Sequence, residues 1–123
     1  MAHILVVDDD PSIRQIFRRV LESDGHEVTQ AQDGLAGVRM FRQKPADLVI
    51  TDIYMPEREG LETIRELKRD FPGVRIIAIT GADVFMGSDH VLGMAKVFGA
   101  IYVMKKPVDI ATLLEVVERA LTD

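Results

Sequence analysis

Five short apolar runs alternate strictly with stretches whose apolar residues recur at helical spacing, and this alternation leaves the backbone few ways to fold. Ile4–Val7 is a continuous apolar run, as a strand covered on both faces requires. Asp10 and Pro11 then read as a helix N-cap and first helical residue. Ile13, Ile16, Phe17, Val20 and Leu21 come next as one helical face, with Arg14, Arg18, Arg19 and Glu22 opposite and Gly25 as the stop. Glu27–Ala31 is a weaker strand, its Val28 set between polar neighbours, and suits a sheet edge. Leu35, Val38 and Phe41 mark a second helix that starts near Asp33 and is closed by Pro45. Leu48–Thr51 is the third strand. Leu61, Ile64, Leu67 and Phe71 mark a third helix, ended by Pro72 and Gly73. Val74–Ile79, the most hydrophobic run, belongs near the sheet centre. The least regular stretch, Gly81–Gly87, precedes a short helix from about Ser88 or Asp89 to Phe98. Ile101–Met104 is the fifth strand, and Ile110, Leu113, Leu114, Val117 and Leu121 define a last helix.

Five strand–helix units in this order predict an α/β fold, an open parallel sheet with helices on both faces, because right-handed crossovers leave few other topologies. A chain of 123 residues is enough for one domain that buries about two-thirds of its unfolded surface. The expected organisation is therefore a single domain over 1–123 with no output domain attached.

Composition removes several functional classes. A net charge of −5 with no basic stripe argues against direct nucleic-acid binding. The absence of cysteine excludes disulfides, thiolate metal sites and thiol nucleophiles, and fits a reducing compartment. The longest apolar runs are strand-sized and end in Asp, Thr or Lys, so none suits a membrane span. The amino terminus lacks the basic region and cleavage site of a signal peptide, which makes the cytoplasm the expected location.

Parallel strands all point one way, so residues at their carboxyl ends gather at one sheet edge. There the sequence places Asp8 and Asp9, Asp52, Thr80 and Lys106. Three crowded carboxylates either take up protons or bind a cation. An oxygen-only donor set favours a hard ion, and Mg²⁺, which combines one or two carboxylates with a phosphate, fits best. Such a site would attract a phosphoryl donor, with Lys106 and the Thr80 hydroxyl on the remaining oxygens. The attacking group must then be found. None of His3, His26 or His90 lies at this edge, and Thr80 has no evident base. A carboxylate can attack phosphorus to give an acyl phosphate. Asp52 is the best candidate, leaving Asp8 and Asp9 for the metal.

Taken singly, each of these residues has a plainer reading. Asp8–Asp10 alone would be a solvated turn and helix cap, Thr80 a strand-end residue and Lys106 a surface lysine; their joint placement at strand ends raises them above that. Asp10 is read as a cap, Lys105 as solvated, and Glu57 and Glu59 as acids at the start of the third helix. The six methionines read as core filler sooner than as a binding surface, with Met55 structural in the loop after Asp52, and Met86 and Met94, which flank the irregular segment, open to a less favoured partner-facing role.

The strings ILVVDDDPSIR, VITDIYMPEREG, IIAITGA and GAIYVMKKPV resemble, in order and spacing, the motifs of response-regulator receiver domains of two-component signalling, over essentially the whole chain. The resemblance implies a chemotaxis-regulator-like, flavodoxin-like sheet of strand order 2-1-3-4-5. It makes Asp8 and Asp9 the acidic metal pair, Asp52 the phosphoacceptor, Thr80 the switch hydroxyl and Lys106 the lysine that contacts the phosphoryl group. It also implies a Mg²⁺ contact from the backbone carbonyl of Tyr54 and a cis bond between Lys106 and Pro107. Val103 departs from the family, which usually carries an aromatic residue there, while Tyr102 is one position off and faces the other way by strand alternation. Tyr54 and Ala82 flank the path of a hydrolytic water, which predicts a comparatively long-lived phosphoaspartate.

These residues together describe a Mg²⁺-dependent receiver that takes a phosphoryl group from a sensor histidine kinase or histidine phosphotransfer protein onto Asp52. It then switches the surface formed by the last two helices and the fifth strand toward an unidentified downstream protein, with a phosphorylation-dependent dimer as one form of output. It assists its own phosphorylation and dephosphorylation and is otherwise no enzyme. The alternatives are a small Mg²⁺-dependent phosphohydrolase, for which the chain has no room for a cap, a flavin or nucleotide binder, for which no Gly-rich loop comes after the first strand, and a receiver-like interaction module that is never phosphorylated.

Overall fold

The computed structural model describes residues 1–53, 59–81 and 88–122. The elements run β1 (His3–Val7), α1 (Pro11–Ser23), β2 (Glu27–Ala31), α2 (Gly34–Gln43), β3 (Leu48–Asp52), α3 (Glu59–Asp70), β4 (Ile76–Thr80), α4 (Ser88–Phe98), β5 (Tyr102–Lys105) and α5 (Ile110–Thr122). The strands form one parallel sheet in the order β2-β1-β3-β4-β5. The weak second strand is at the edge, and β4 lies beside the central β3 with every residue buried.

Alternation along the strands builds two cores. Leu5, Val7, Val49, Ile76 and Ala78 face α2, α3 and α4, where Val38, Phe41, Ile64, Leu67 and Ala95 close over them. Ile4, Val6, Leu48, Ile50, Ile77 and Ile79 face α1 and α5, packing with Phe17, Leu21, Leu113 and Val117. Covering a parallel sheet on both faces is what makes its central strands apolar throughout.

Helix starts obey the capping chemistry in the sequence. Asp10 accepts a hydrogen bond from the Ser12 N–H at 2.8 Å, with Pro11 as the first residue of α1. Asp33 does the same for α2 through the Ala36 N–H, also at 2.8 Å. After α1 the chain reverses through Gly25, whose φ of +91° suits a residue without a Cβ.

Three details differ from the pattern expected of the sequence. First, strand starts shift: β1 begins at His3 rather than Ile4, β5 at Tyr102 rather than Ile101, and β4 at Ile76 rather than Val74. The Val74 N–H donates to Phe71 O at 2.9 Å and its carbonyl accepts from Lys68 Nζ at 2.8 Å, so both groups serve the turn after α3. Second, β3, β4 and β5 each end one residue later than their apolar runs, at Asp52, Thr80 and Lys105, because ladder pairing continues through the polar residues: Asp52 pairs with Ile79 and Thr80 with Lys105. Third, Ile16, Leu35 and Ile110 mark helices without burying, being 49%, 67% and 53% exposed. In α2 the buried stripe is Gly34, Gly37, Val38 and Phe41, which leaves Leu35 about 100° away on the helical wheel. Of the irregular stretch expected at Gly81–Gly87, residues 82–87 lie outside the described residues, and so do Met55 and Glu57. Among the described residues, no helix is long and apolar enough to cross a membrane.

Candidate functional site

The register carries Val7, Thr51 and Asp52, Ile79 and Thr80, and Lys105 to one edge of the sheet. Backbone hydrogen bonds continue one residue beyond the ladders and seat the site residues there. The Asp8 N–H donates to Ala31 O at 3.1 Å, the Ile53 N–H to Ile79 O at 2.9 Å, and the Lys106 N–H to Thr80 O at 2.7 Å. The side chains at these positions are thus held by the sheet rather than by free loops.

Asp8, Asp9 and Asp52 each offer a carboxylate oxygen, and these oxygens all lie within 4.8 Å of one another. Asp8 and Asp52 are buried, at 3% and 5% exposure, while Asp9 is exposed. The Lys106 ammonium bridges the buried pair, 3.0 Å from Asp8 Oδ2 and 3.0 Å from Asp52 Oδ2. A fifth group is Thr80, which is fully buried and whose Oγ1 has no hydrogen-bond partner among the described residues. Such an orphaned hydroxyl costs free energy unless a ligand or another state supplies its partner.

The electrostatics arise from burial and mutual contact. Burial raises the Asp8 carboxyl above its ordinary value, and the Asp52 charge adds to this, against lowering by the Asp10 N–H and Lys106. For Lys106, burial lowers the ammonium, yet the contacts with Asp52 and Asp8 outweigh it and the net shift is upward. Among the described residues, Lys106 is the cation that contacts both buried acids.

The donor set fits a hard divalent ion. Among the described residues, all donors are carboxylate oxygens, two buried and one facing solvent, with no sulfur or imidazole among them. The Tyr54 carbonyl, expected as a further ligand, lies outside the described residues, as does Ala82.

Several other expected positions can be located. The Lys106–Pro107 bond is cis. Val103 packs into the core under α2–α4 and Tyr102 into the core under α1 and α5, on opposite faces of β5. Lys105 is exposed and Asp10 caps α1. His3 and His26 sit at the far end of the sheet, bonded to Thr29 Oγ1 and the Ala2 N–H respectively, while the side chain of His90 is outside the described part. Helical periodicity conceals one contributor. Arg14, which that periodicity places on the solvated side of α1, donates through Nη1 to the Asp8 carbonyl at 2.6 Å and so fastens the Asp8–Asp9 peptide. Its position in the first turns of a helix that starts three residues after Asp8 is the signal that could have found it.

Residues 4–118 match the family model described as the response regulator receiver domain. Protein PilH of Pseudomonas aeruginosa is 37% identical over 123 residues, covering 98% of both chains. The transcriptional regulatory protein GlrR of Escherichia coli K12 is 33% identical over 120 residues, 98% of this chain but 26% of that protein, so the chain spans about a quarter of the length of this relative. A crystal structure of a response regulator receiver domain protein from Clostridium thermocellum superposes with a TM-score of 0.89 at 33% identity, covering 99% of this chain and 95% of the other. The strand order and two-faced helix cover are those of the chemotaxis-regulator-like flavodoxin fold. With its acidic strand ends, bridging lysine and buried threonine on that sheet, the chain belongs to the response regulator receiver domain family, the phosphoacceptor signalling domains of two-component systems.

Proposed function

We propose that Asp52 is the phosphoacceptor of this receiver, that Asp8 and Asp9 together with Asp52 hold Mg²⁺, and that Lys106 and Thr80 read the phosphorylated state. The observation that carries this reading is the Lys106 ammonium set 3.0 Å from both Asp8 and Asp52, at the sheet edge that also carries Thr80, whose buried hydroxyl has no partner among the described residues.

In this reading an Asp52 carboxylate oxygen attacks the phosphorus of a phosphohistidine on a sensor kinase or phosphotransfer protein. The P–O bond of an acyl phosphate forms, the P–N bond breaks, and the released imidazole takes a proton from water. A bound Mg²⁺ would supply charge neutralisation for the phosphoryl oxygens. The chain's own residues do the rest. The backbone hydrogen bond from the Ile53 N–H to Ile79 O, one residue past the ladder, fixes the backbone beside Asp52, and Lys106 stands within reach of any oxygen attached there.

Phosphorylation replaces the single charge of the Asp52 carboxylate with a phosphoryl group carrying about two negative charges, which gives the Lys106 ammonium a stronger partner and the Thr80 Oγ1–H an acceptor. Movement of these two groups shifts a two-state equilibrium toward a form with an altered α4, β5 and α5 surface. Output then passes to a downstream protein or to a second copy of the chain. The setting is the cytoplasm, and the domain accepts a phosphoryl group rather than turning over a phosphate ester.

The test is incubation with acetyl phosphate and Mg²⁺, then intact mass on wild type and Asp52→Asn. A phosphate-sized gain in wild type alone supports the assignment. Equal gains in both proteins, or none in wild type, oppose it. Catalytic turnover of a phosphate ester would point to the hydrolase instead.

A further inference from the structure

Gly60, in the first turn of α3, lies against the backbone that leaves the acceptor strand. A Cβ on this residue would stand 2.2 Å from Ile53 Cα, 2.6 Å from the Asp52 carbonyl oxygen and 2.6 Å from the Ile53 carbonyl carbon. The shortest of these falls 1.2 Å below the 3.4 Å at which ordinary contact begins, and all three neighbours are main-chain atoms. Glycine inside a helix is unfavourable relative to alanine, so its presence here needs a physical reason, and the close approach supplies one.

Ile53 cannot retreat from an added methyl. Its N–H is bonded to Ile79 O at 2.9 Å and its side chain is 2% exposed within the core under α2–α4. A Cβ at position 60 must therefore lift α3 off β3 or twist the Asp52–Ile53 peptide. A softer contact flanks the other buried acid: a Cβ on Gly37 of α2 would lie 2.9 Å from Val7 Cγ2, and Val7 directly precedes Asp8. There the neighbour is a side-chain methyl, not backbone.

We propose that Gly60 is a positioning residue for Asp52, seating α3 directly on the acceptor's own peptide so that the Asp52 carboxylate keeps its place opposite Asp8, with Gly37 doing the same more weakly from the Asp8 side. The inference rests on Asp52 being the acceptor. It makes the contact between α3 and β3 part of the site rather than general packing.

The experiment compares wild type with Gly60→Ala, Gly93→Ala, Val117→Ala and Asp52→Asn, at a temperature where the proteins compared are folded. Gly93→Ala adds a methyl in α4 with nothing within 4 Å, and Val117→Ala removes buried volume on the opposite face of the sheet. Two quantities are read: Mn²⁺ affinity by paramagnetic resonance, and the rate of phosphate gain from acetyl phosphate with Mg²⁺. Gly60→Ala is expected to lose about tenfold or more in both, since displacements near 1 Å at a reacting group cost on the order of a hundredfold. Gly93→Ala and Val117→Ala are expected to stay within about twofold of wild type, even though Val117→Ala melts earlier, because distant sites act independently. Wild-type values for Gly60→Ala, or an equal loss in Val117→Ala, would overturn the proposal. Should Gly60→Ala fail to fold, Gly37→Ala decides: a loss of a few-fold in both readouts supports it, and wild-type values overturn it. Phosphate gain by Asp52→Asn at the wild-type rate would remove the acceptor reading itself, leaving Mn²⁺ affinity to judge Gly60.

Discussion

Lys106 and Asp52 are 54 positions apart in the chain, yet Lys106 Nζ lies 3.0 Å from Asp52 Oδ2 and holds Asp8 Oδ2 at the same distance. The same ammonium thus contacts two buried carboxylates. Replacing Lys106 with Met should leave both acids without that cation and destabilise the metal-free protein by roughly 1–3 kcal/mol, the cost of uncompensated buried polar groups. Mg²⁺ would restore much of the loss, so the gap between metal-free and metal-saturated melting temperatures should be wider in Lys106→Met than in wild type. Calorimetry with and without Mg²⁺ checks this, and equal gaps would contradict it.

The raised pKa of Asp8 fixes the sign of a pH effect. Because burial, with Asp52 adding to it, lifts the folded value above 3.8, ionised Asp8 opposes folding at neutral pH. As pH falls through the folded value toward 3.8, the native state takes up its proton before the unfolded chain does, and the penalty is relieved. Lys106 works the other way at the alkaline end: its folded pKa lies above 10.5, so its stabilisation is intact below that value and is lost as pH rises through the folded one. Asp8→Asn should therefore melt higher than wild type at pH 7 without metal, lose the Asp8 contribution to the acid-side dependence and lose the response to Mg²⁺. Melting curves from pH 4 to 8 would show it.

The fully buried Thr80 hydroxyl has no partner among the described residues, so Thr80→Val exchanges an unsatisfied oxygen for a methyl of similar size. Stability of the unphosphorylated protein should be unchanged or rise by up to about 1 kcal/mol in urea unfolding. Phosphate gain at Asp52 should persist, while the amide shifts that phosphorylation produces around β4, α4 and β5 should shrink. A clear loss of stability without phosphate would show that Thr80 has a partner in the resting state.

Phosphate lifetime depends on access of water to the acyl phosphate. The sequence places an aromatic residue, Tyr54, two positions after Asp52, and Ala82, whose methyl can neither donate nor accept a hydrogen bond, two positions after Thr80. Tyr54→Asn should shorten the phosphoaspartate lifetime several-fold when phosphate loss is timed by mass. An unchanged or longer lifetime would remove this role.

The alternation of apolar runs and helical stripes carried the element order, and with it the parallel sheet, because right-handed crossovers leave so few alternatives. The acidic strand ends, Thr80 and Lys106 were legible for the same reason: where every strand points one way, strand ends share an edge. The apolar pattern did not show that pairing runs on through Asp52, Thr80 and Lys105, since backbone ladders are indifferent to side-chain polarity. Nor did it show that Ile16, Leu35 and Ile110 stay exposed, which depends on which few degrees of each helix the sheet covers. Arg14 and Gly60 were hidden differently. One acts through a main-chain carbonyl and the other through the absence of a side chain, and neither leaves a mark in hydropathy.

The phosphorelay chemistry proposed for this chain requires that phosphorus be carried by the carboxylate of residue 52. Borohydride reduces an aspartyl phosphate to homoserine, so reduction after acetyl phosphate and Mg²⁺, with peptide mapping afterwards, identifies the acceptor. Homoserine is expected at position 52 and at no other aspartate, appearing only when Mg²⁺ is present. Homoserine at Asp8 or Asp9, or phosphate gain that leaves residue 52 unreduced, would contradict it.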